Sequence, residues 1–119
     1  MTPQKLEDRL IEFSVKIIKN SQPTSASFTF QHLSRQLIRS ATSAALNYGE
    51  SRSAESEKDF IHKLHVSLKE LRECLVNLKI LLRANILDHR SVVVNLMQEC
   101  DQLISILVST VRTIQRKSA

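Results

Sequence analysis

The sequence predicts an all-α protein folded as an antiparallel, up-down-up-down four-helix bundle. Three observations carry the prediction. Apolar residues recur at helical spacing in four segments. One glycine and two prolines cannot supply the turns that a protein of short strands needs roughly every 8–12 residues. The segments are joined by short stretches, which makes consecutive helices antiparallel neighbours.

The first helix is expected from Pro3 to Asn20. Thr2 suits the N-cap, and Pro3 suits the first helical position, where an N–H would have no partner. Leu6, Leu10, Phe13 and Ile17 form one apolar face, widened by Ile11 and Ile18. Glu7 and Asp8 lie toward the positive end of the helix dipole, and Lys16 and Lys19 toward the negative end. Residues 20–27 hold Ser21, Pro23, Thr24, Ser25 and Ser27 and read as a loop. The second helix is expected from Phe28 to Ser51, with Phe30, Leu33, Leu37, Ala41, Ala44 and Tyr48 as its stripe. Ser40, Ala41, Ser43, Ala44 and Ala45 make its middle small, which permits a neighbouring helix to come close. Gly49 is expected to loosen or end it, because glycine costs about 1 kcal/mol in a helix interior.

The third helix has the clearest pattern. Ser56 and Asp59 form a capping box. Ile61, Leu64, Leu68, Leu71, Leu75, Leu78 and Leu82 then alternate spacings of 3 and 4, a bundle seam. Asn85 suits a left-handed C-cap with Ile86 as its apolar contact, so the helix should end near Ala84. The fourth helix follows the N-cap candidate Asp88 and runs to about Arg116. Val93, Leu96, Cys100, Leu103 and Leu107 form its core face. Met97, Ile104, Val108 and Val111 form a second stripe beside it. Together they exceed what one core needs, so the second stripe is the candidate oligomer interface.

A chain of 119 residues fits one domain, which buries about two-thirds of its unfolded surface without metal or disulfide. No stretch reaches 18 uninterrupted apolar residues, and the N-terminus lacks a signal-peptide core, so a cytoplasmic protein without a membrane span is expected. Cys74 and Cys100 read as buried small hydrophobes of a reducing compartment. The formal charge is +5, and the isoelectric point of 9.6 permits polyanion binding.

Catalytic signals are weak. His62 and His65 share a helix face but lack further ligands, so no metal site is assigned, and one glycine cannot build a phosphate loop. His32 and His89 are isolated. Glu55 with Glu57, and Glu70 with Glu73, read as solvated or salt-bridged faces. One constellation stands out. Arg39, Ser43, Asn47 and Glu50 line one side of the second helix, with Glu70 and Glu73 as candidate partners for Arg39. The six form either a polar network that fixes helix register or a ligand or partner site.

The stretch Gln36–Glu50, with Ser56–Ile61 and Leu68–Glu73, resembles the bacterial four-helix bundle proteins first noticed as products of intervening sequences in large-subunit ribosomal RNA genes. The pattern Arg39, Ser43, Asn47, Glu50 is its most specific part. Many relatives have alanine before the glutamate where this chain has Gly49. The chain is also similar to the accessory variability proteins of diversity-generating retroelements. The resemblance implies a homo-oligomer, most often a pentamer. It also implies a partner such as a reverse transcriptase and action on nucleic acid, and it carries over no catalytic residues; no cofactor is expected.

Two functional classes follow, and a third is weaker. The first is an oligomer that binds RNA or DNA phosphates, with Arg112, Arg116 and Lys117 as candidate contacts. The second is a protein–protein scaffold or adaptor, whose basic residues would pair with Glu55, Glu57 or Glu99 of a neighbour. A small-molecule or metal binder would need a cavity that the sequence does not announce. Only five aromatic residues exist, Phe13, Phe28, Phe30, Tyr48 and Phe60. Most are expected in packing, so base stacking is not expected to dominate.

Overall fold

A computed structural model describes residues 1–22, 27–85 and 90–118. Within them lie α1 (Pro3–Asn20), α2 (Phe28–Ser51), α3 (Glu57–Ala84) and α4 (Arg90–Ser118). Local capping chemistry sets these limits. The Thr2 hydroxyl accepts from the Lys5 N–H at 3.1 Å, and Ser27 does the same for Phe30 at 3.1 Å. Ser56 accepts from the Asp59 N–H at 3.0 Å. That is one half of the expected capping box, and the Asp59 carboxylate makes no return bond among the described residues. Asn85 closes α3 in the left-handed region, at φ 53° and ψ 41°. The roles expected of Ile86 and Asp88 lie outside the described residues.

The helices form a square. Each packs on its neighbours in sequence, α4 closes onto α1, and no diagonal pair approaches among the described residues. The Cα envelope is 51 × 20 × 20 Å, one long helix in length and two helices in width and depth. A single apolar cluster runs through it, with Leu10, Phe13, Leu64, Leu71, Leu103 and Leu107 fully enclosed. Each such side chain stabilises the fold by about 1.5–3 kcal/mol relative to exposure.

The tightest seam joins α2 and α3. Ala41 and Ala44 are fully buried there, and Ser40 is nearly so. Their small side chains let the Ser67 hydroxyl reach the Ala44 carbonyl of α2 and donate to it at 2.7 Å. Near one end of the seam the Asn77 amide donates to the Leu33 carbonyl at 3.0 Å. Near the other, Lys63 meets Glu50 at 2.7 Å. Numbers rise on one helix as they fall on the other, as an antiparallel pair requires. On the far side of α3, the Cys100 thiol of α4 donates to the Leu71 carbonyl at 3.2 Å. A helical carbonyl keeps a second lone pair after its own i+4 bond, so these cross-helix donors fill it.

Three expectations need correction. Gly49 neither loosens nor ends α2, which continues to Ser51. Its dihedrals are ordinary, and the nearest atom to an added Cβ is Glu7 Oε1 of α1 at 3.4 Å. The buried face of α3 is turned toward α2. Ser67, Glu70, Cys74, Asn77 and Leu81 are buried, while Ile61, Leu75 and Leu82 of the expected seam are half-buried. The close approach of α2 causes this turn. Val111 is 5% exposed and belongs to the core. Met97, Ile104 and Val111 recur every seven residues, and such a stripe drifts by about 20° per heptad on a straight helix. The drift carries Val111 inward beside Leu107.

Three variants test this account. Gly49→Ala should raise stability by about 0.5–1 kcal/mol in urea unfolding, because the site is helical and has room. Ser67→Ala should cost about 0.5–1.5 kcal/mol through its lost cross-helix bond. Asn47→Ala should change little, since Asn47 bonds only within α2, to the carbonyl and hydroxyl of Ser43.

Candidate functional site

The six-residue polar constellation separates into three parts. Arg39 reaches Glu73 at 3.4 Å and Glu70 at 3.7 Å, and Ser40 donates to Glu73 at 3.3 Å. Ser43 and Asn47 bond to each other on α2. Glu50 leaves the group and takes Lys63 instead. The expected pairing of Arg39 with Glu70 and Glu73 is therefore present. Arg39 is 65% exposed while Glu70 is 8% exposed, so the link is an ion pair drawn over a buried carboxylate. Its 3.7 Å separation is too long for a hydrogen bond, and Glu70 Oε2 has no such partner.

Other ion pairs bridge helices. Arg9 of α1 binds Glu99 of α4 through two nitrogens and also donates to Gln102 at 3.0 Å. Glu99 holds the Arg9 guanidinium pKa up, mainly through that hydrogen bond. Arg52 meets Glu7 at 3.4 Å and donates to Gln4 at 2.9 Å. Arg112, Arg116 and Lys117 are exposed at the end of α4 and make no ion pair among the described residues. They share their end of the bundle with carboxylates, for the Ser118 hydroxyl donates to Glu57.

Two half-covered apolar strips remain. Cys100 faces α3, and Glu99 and Gln102 face α1. At about 100° per residue, Met97, Ile104 and Val108 then lie just outside Cys100 on the α3 flank. All three are half-buried, as are Leu75 and Leu82 of α3. On α1, Glu7 faces α2, which places Ile11 and Ile18 on the α2 flank. They are 47% and 38% exposed, and half-buried Ala45 and Ile38, seven and fourteen residues before Arg52, lie on the facing flank of α2. In a square of helices, the α1–α2 edge lies opposite the α3–α4 edge. By length and composition α4 is apolar enough to cross a membrane, yet it supplies a core face here, and only 28% of its most apolar window is buried.

No cluster of metal-ligating side chains occurs among the described residues. His62 and His65 are both exposed. His32 is exposed as well and stacks on Phe28, with ring centres 6.0 Å apart and planes 14° apart. His89 lies outside the described residues.

A family model for 23S rRNA-intervening sequence proteins matches residues 5–109, nearly the whole bundle. The chain belongs to this family. A crystal structure of a protein of unknown function from the S23 ribosomal protein family of Bacteroides thetaiotaomicron is similar at a TM-score of 0.81 and 27% identity. The likeness covers 94% of this chain and 99% of that one. No curated protein matches the chain. As a 23S rRNA-intervening sequence protein, the chain shares its fold with relatives that are not known enzymes.

Sequence patterning missed the cross-helix donors Ser67 and Asn77. Each lies off the apolar seam of α3 and looked like an ordinary polar position. It also missed Phe28, which is 82% exposed although aromatic side chains were expected in packing. Phe13, Phe30 and Tyr48 do pack in the core.

The thiols behave as core groups. Burial is the main force pushing both up, with Cys100 and then Glu70 and Glu73 adding to the effect on Cys74. Cys100 is pushed up from 9.0 to about 12. A buried thiol disfavours its thiolate, so the unfolded chain loses this proton first. The stability this group contributes is complete below pH 9.0 and is lost as pH rises toward about 12. Urea unfolding over that range should show stability falling by up to about 1.4 kcal/mol per pH unit for the thiol. Cys100→Ala should make that decline shallower, and an unchanged slope would remove Cys100 as a contributor.

Proposed function

We propose that this 23S rRNA-intervening sequence protein acts by binding, as a closed homo-oligomer that contacts the phosphates of RNA or DNA. One observation carries the reading. The chain has 17 lysines and arginines, and ion pairs among the described residues engage only Arg9, Arg39, Arg52 and Lys63. The remaining cations are available to an outside anion. Arg112, Arg116 and Lys117 are among them. Phosphate contacts of this kind position a nucleic acid without reading its sequence.

The two apolar strips support self-assembly. They lie on opposite edges and differ in composition, so one copy's α1–α2 edge can meet the next copy's α3–α4 edge. Such head-to-tail contacts close into a ring when the rotation allows. Five is the number that the family resemblance implies. Of the three carboxylates the scaffold reading offers to a neighbour's cation, Glu55, Glu57 and Glu99, the last is engaged by Arg9 within the protomer.

Light scattering of the full chain, with and without a mixed-sequence oligonucleotide, tests both parts. The expected result is a fivefold mass that rises with the oligonucleotide at low salt and loses it at moderate salt. Ile104→Asp and Ile11→Asp should each reduce the mass, and Ile11→Asp should leave helicity and unfolding little changed because Ile11 is 47% exposed. A fivefold mass indifferent to the oligonucleotide would support a scaffold. A monomer in every condition would remove the ring.

A further inference from the structure

The cations are not spread evenly along the bundle. One end of it contains no carboxylate among the described residues; Asp88, between Arg83 and Arg90 in sequence, lies outside them. Residues 13–22, 27–49, 74–85 and 90–98 hold no aspartate or glutamate. These are the second half of α1, nearly all of α2, the end of α3 and the start of α4. The antiparallel fold gathers them, and one small cavity is lined by Ile17, Phe30, Leu81 and Val93, one residue from each helix. Six exposed cations sit on this pole and make no ion pair among the described residues: Lys16, Lys19, Arg35, Lys79, Arg83 and Arg90. The opposite pole holds Glu50, Glu55, Glu57 and Asp59 beside its own cations.

The same pole carries the exposed aromatic residue. Phe28 opens α2, with His32 one turn and Arg35 two turns further along the same outer face. The Phe28 ring is 82% exposed and already lies nearly parallel to the His32 ring. An aromatic face left in water beside unpaired cations is the arrangement on which an unpaired base stacks while its phosphates are held.

We propose that this cation-rich pole is a binding surface for single-stranded nucleic acid. Phe28 stacks a base, and Lys79, Arg83 and Arg90, with Arg35, Lys16 and Lys19, hold the backbone. The inference rests on the nucleic-acid reading above and moves the principal contact away from Arg112, Arg116 and Lys117. There the neighbouring carboxylates weaken the field that a phosphate meets. RNA and DNA present the same phosphates and stackable bases to the pole, so both are probes.

Fluorescence anisotropy of labelled single-stranded RNA and DNA of mixed sequence, across a salt series, tests it on the full chain. Three variants are compared: Lys79→Gln/Arg83→Gln/Arg90→Gln, Arg112→Gln/Arg116→Gln/Lys117→Gln, and Phe28→Ala. All are surface changes, and circular dichroism checks that each remains helical before binding is compared. The pole triple should weaken binding at least tenfold and lower the salt slope by about 2, the value expected for three lost single-strand phosphate contacts. The terminal triple should weaken it far less. Phe28→Ala should weaken single-strand binding about fivefold or more while leaving duplex binding unchanged. A stronger or equal loss from the terminal triple would overturn the assignment and keep the nucleic-acid reading. Equal losses of single strand and duplex on Phe28→Ala would overturn the stacking role. No binding by the unmodified chain at low salt, or binding only to anionic lipid vesicles, would overturn both readings.

Discussion

The bond from the Ser67 hydroxyl to the Ala44 carbonyl requires two helix backbones to lie within reach of one short side chain. Only alanine and serine on the facing side of α2 allow it, and much of the remaining architecture follows. Because α2 sits close, α3 turns its buried face toward α2 and takes Ser67, Cys74 and Asn77 inside. The other flank of α3 is then covered less completely. Leu75 and Leu82 stay half-buried there, beside Met97, Ile104 and Val108 of α4. The apolar strip on that edge is thus the complement of tight packing on the adjacent one.

Polar groups bear much of the specificity in this seam. A leucine stripe tolerates sliding by a turn, since one leucine resembles the next. A serine hydroxyl and an asparagine amide aimed at particular carbonyls do not, because a shift would leave them buried without partners. Glu70, held near Arg39 but without a hydrogen bond, shows the cost of this arrangement. A buried carboxylate is stabilised there mainly by a neighbouring charge, which water also reaches.

Helix limits were legible because capping is local: Thr2, Ser56 and Asn85 act on backbone groups within a few residues. The pairing of Arg39 with Glu70 and Glu73 was legible from helical spacing. The grouping of Glu50 with that set was not, because Lys63 became its partner only once α2 and α3 were aligned. Val111 was misplaced because a seven-residue repeat looks like a fixed face and is not one on a straight helix. The terminal cations Arg112, Arg116 and Lys117 drew notice by standing together in sequence. Lys19, Arg35, Lys79 and Arg90 did not, since four distant segments must fold before they meet.

The uneven placement of charge makes each protomer an electric dipole along its long axis. Copies packed side by side in the same direction would bring like ends together and repel one another. The apolar edges would have to outweigh that repulsion. Added salt screens it, so the same salt that weakens contact with phosphates would strengthen cohesion between parallel copies. Assembly and ligand capture would then respond to ionic strength in opposite directions, and a bound polyanion would itself relieve the strain between neighbours.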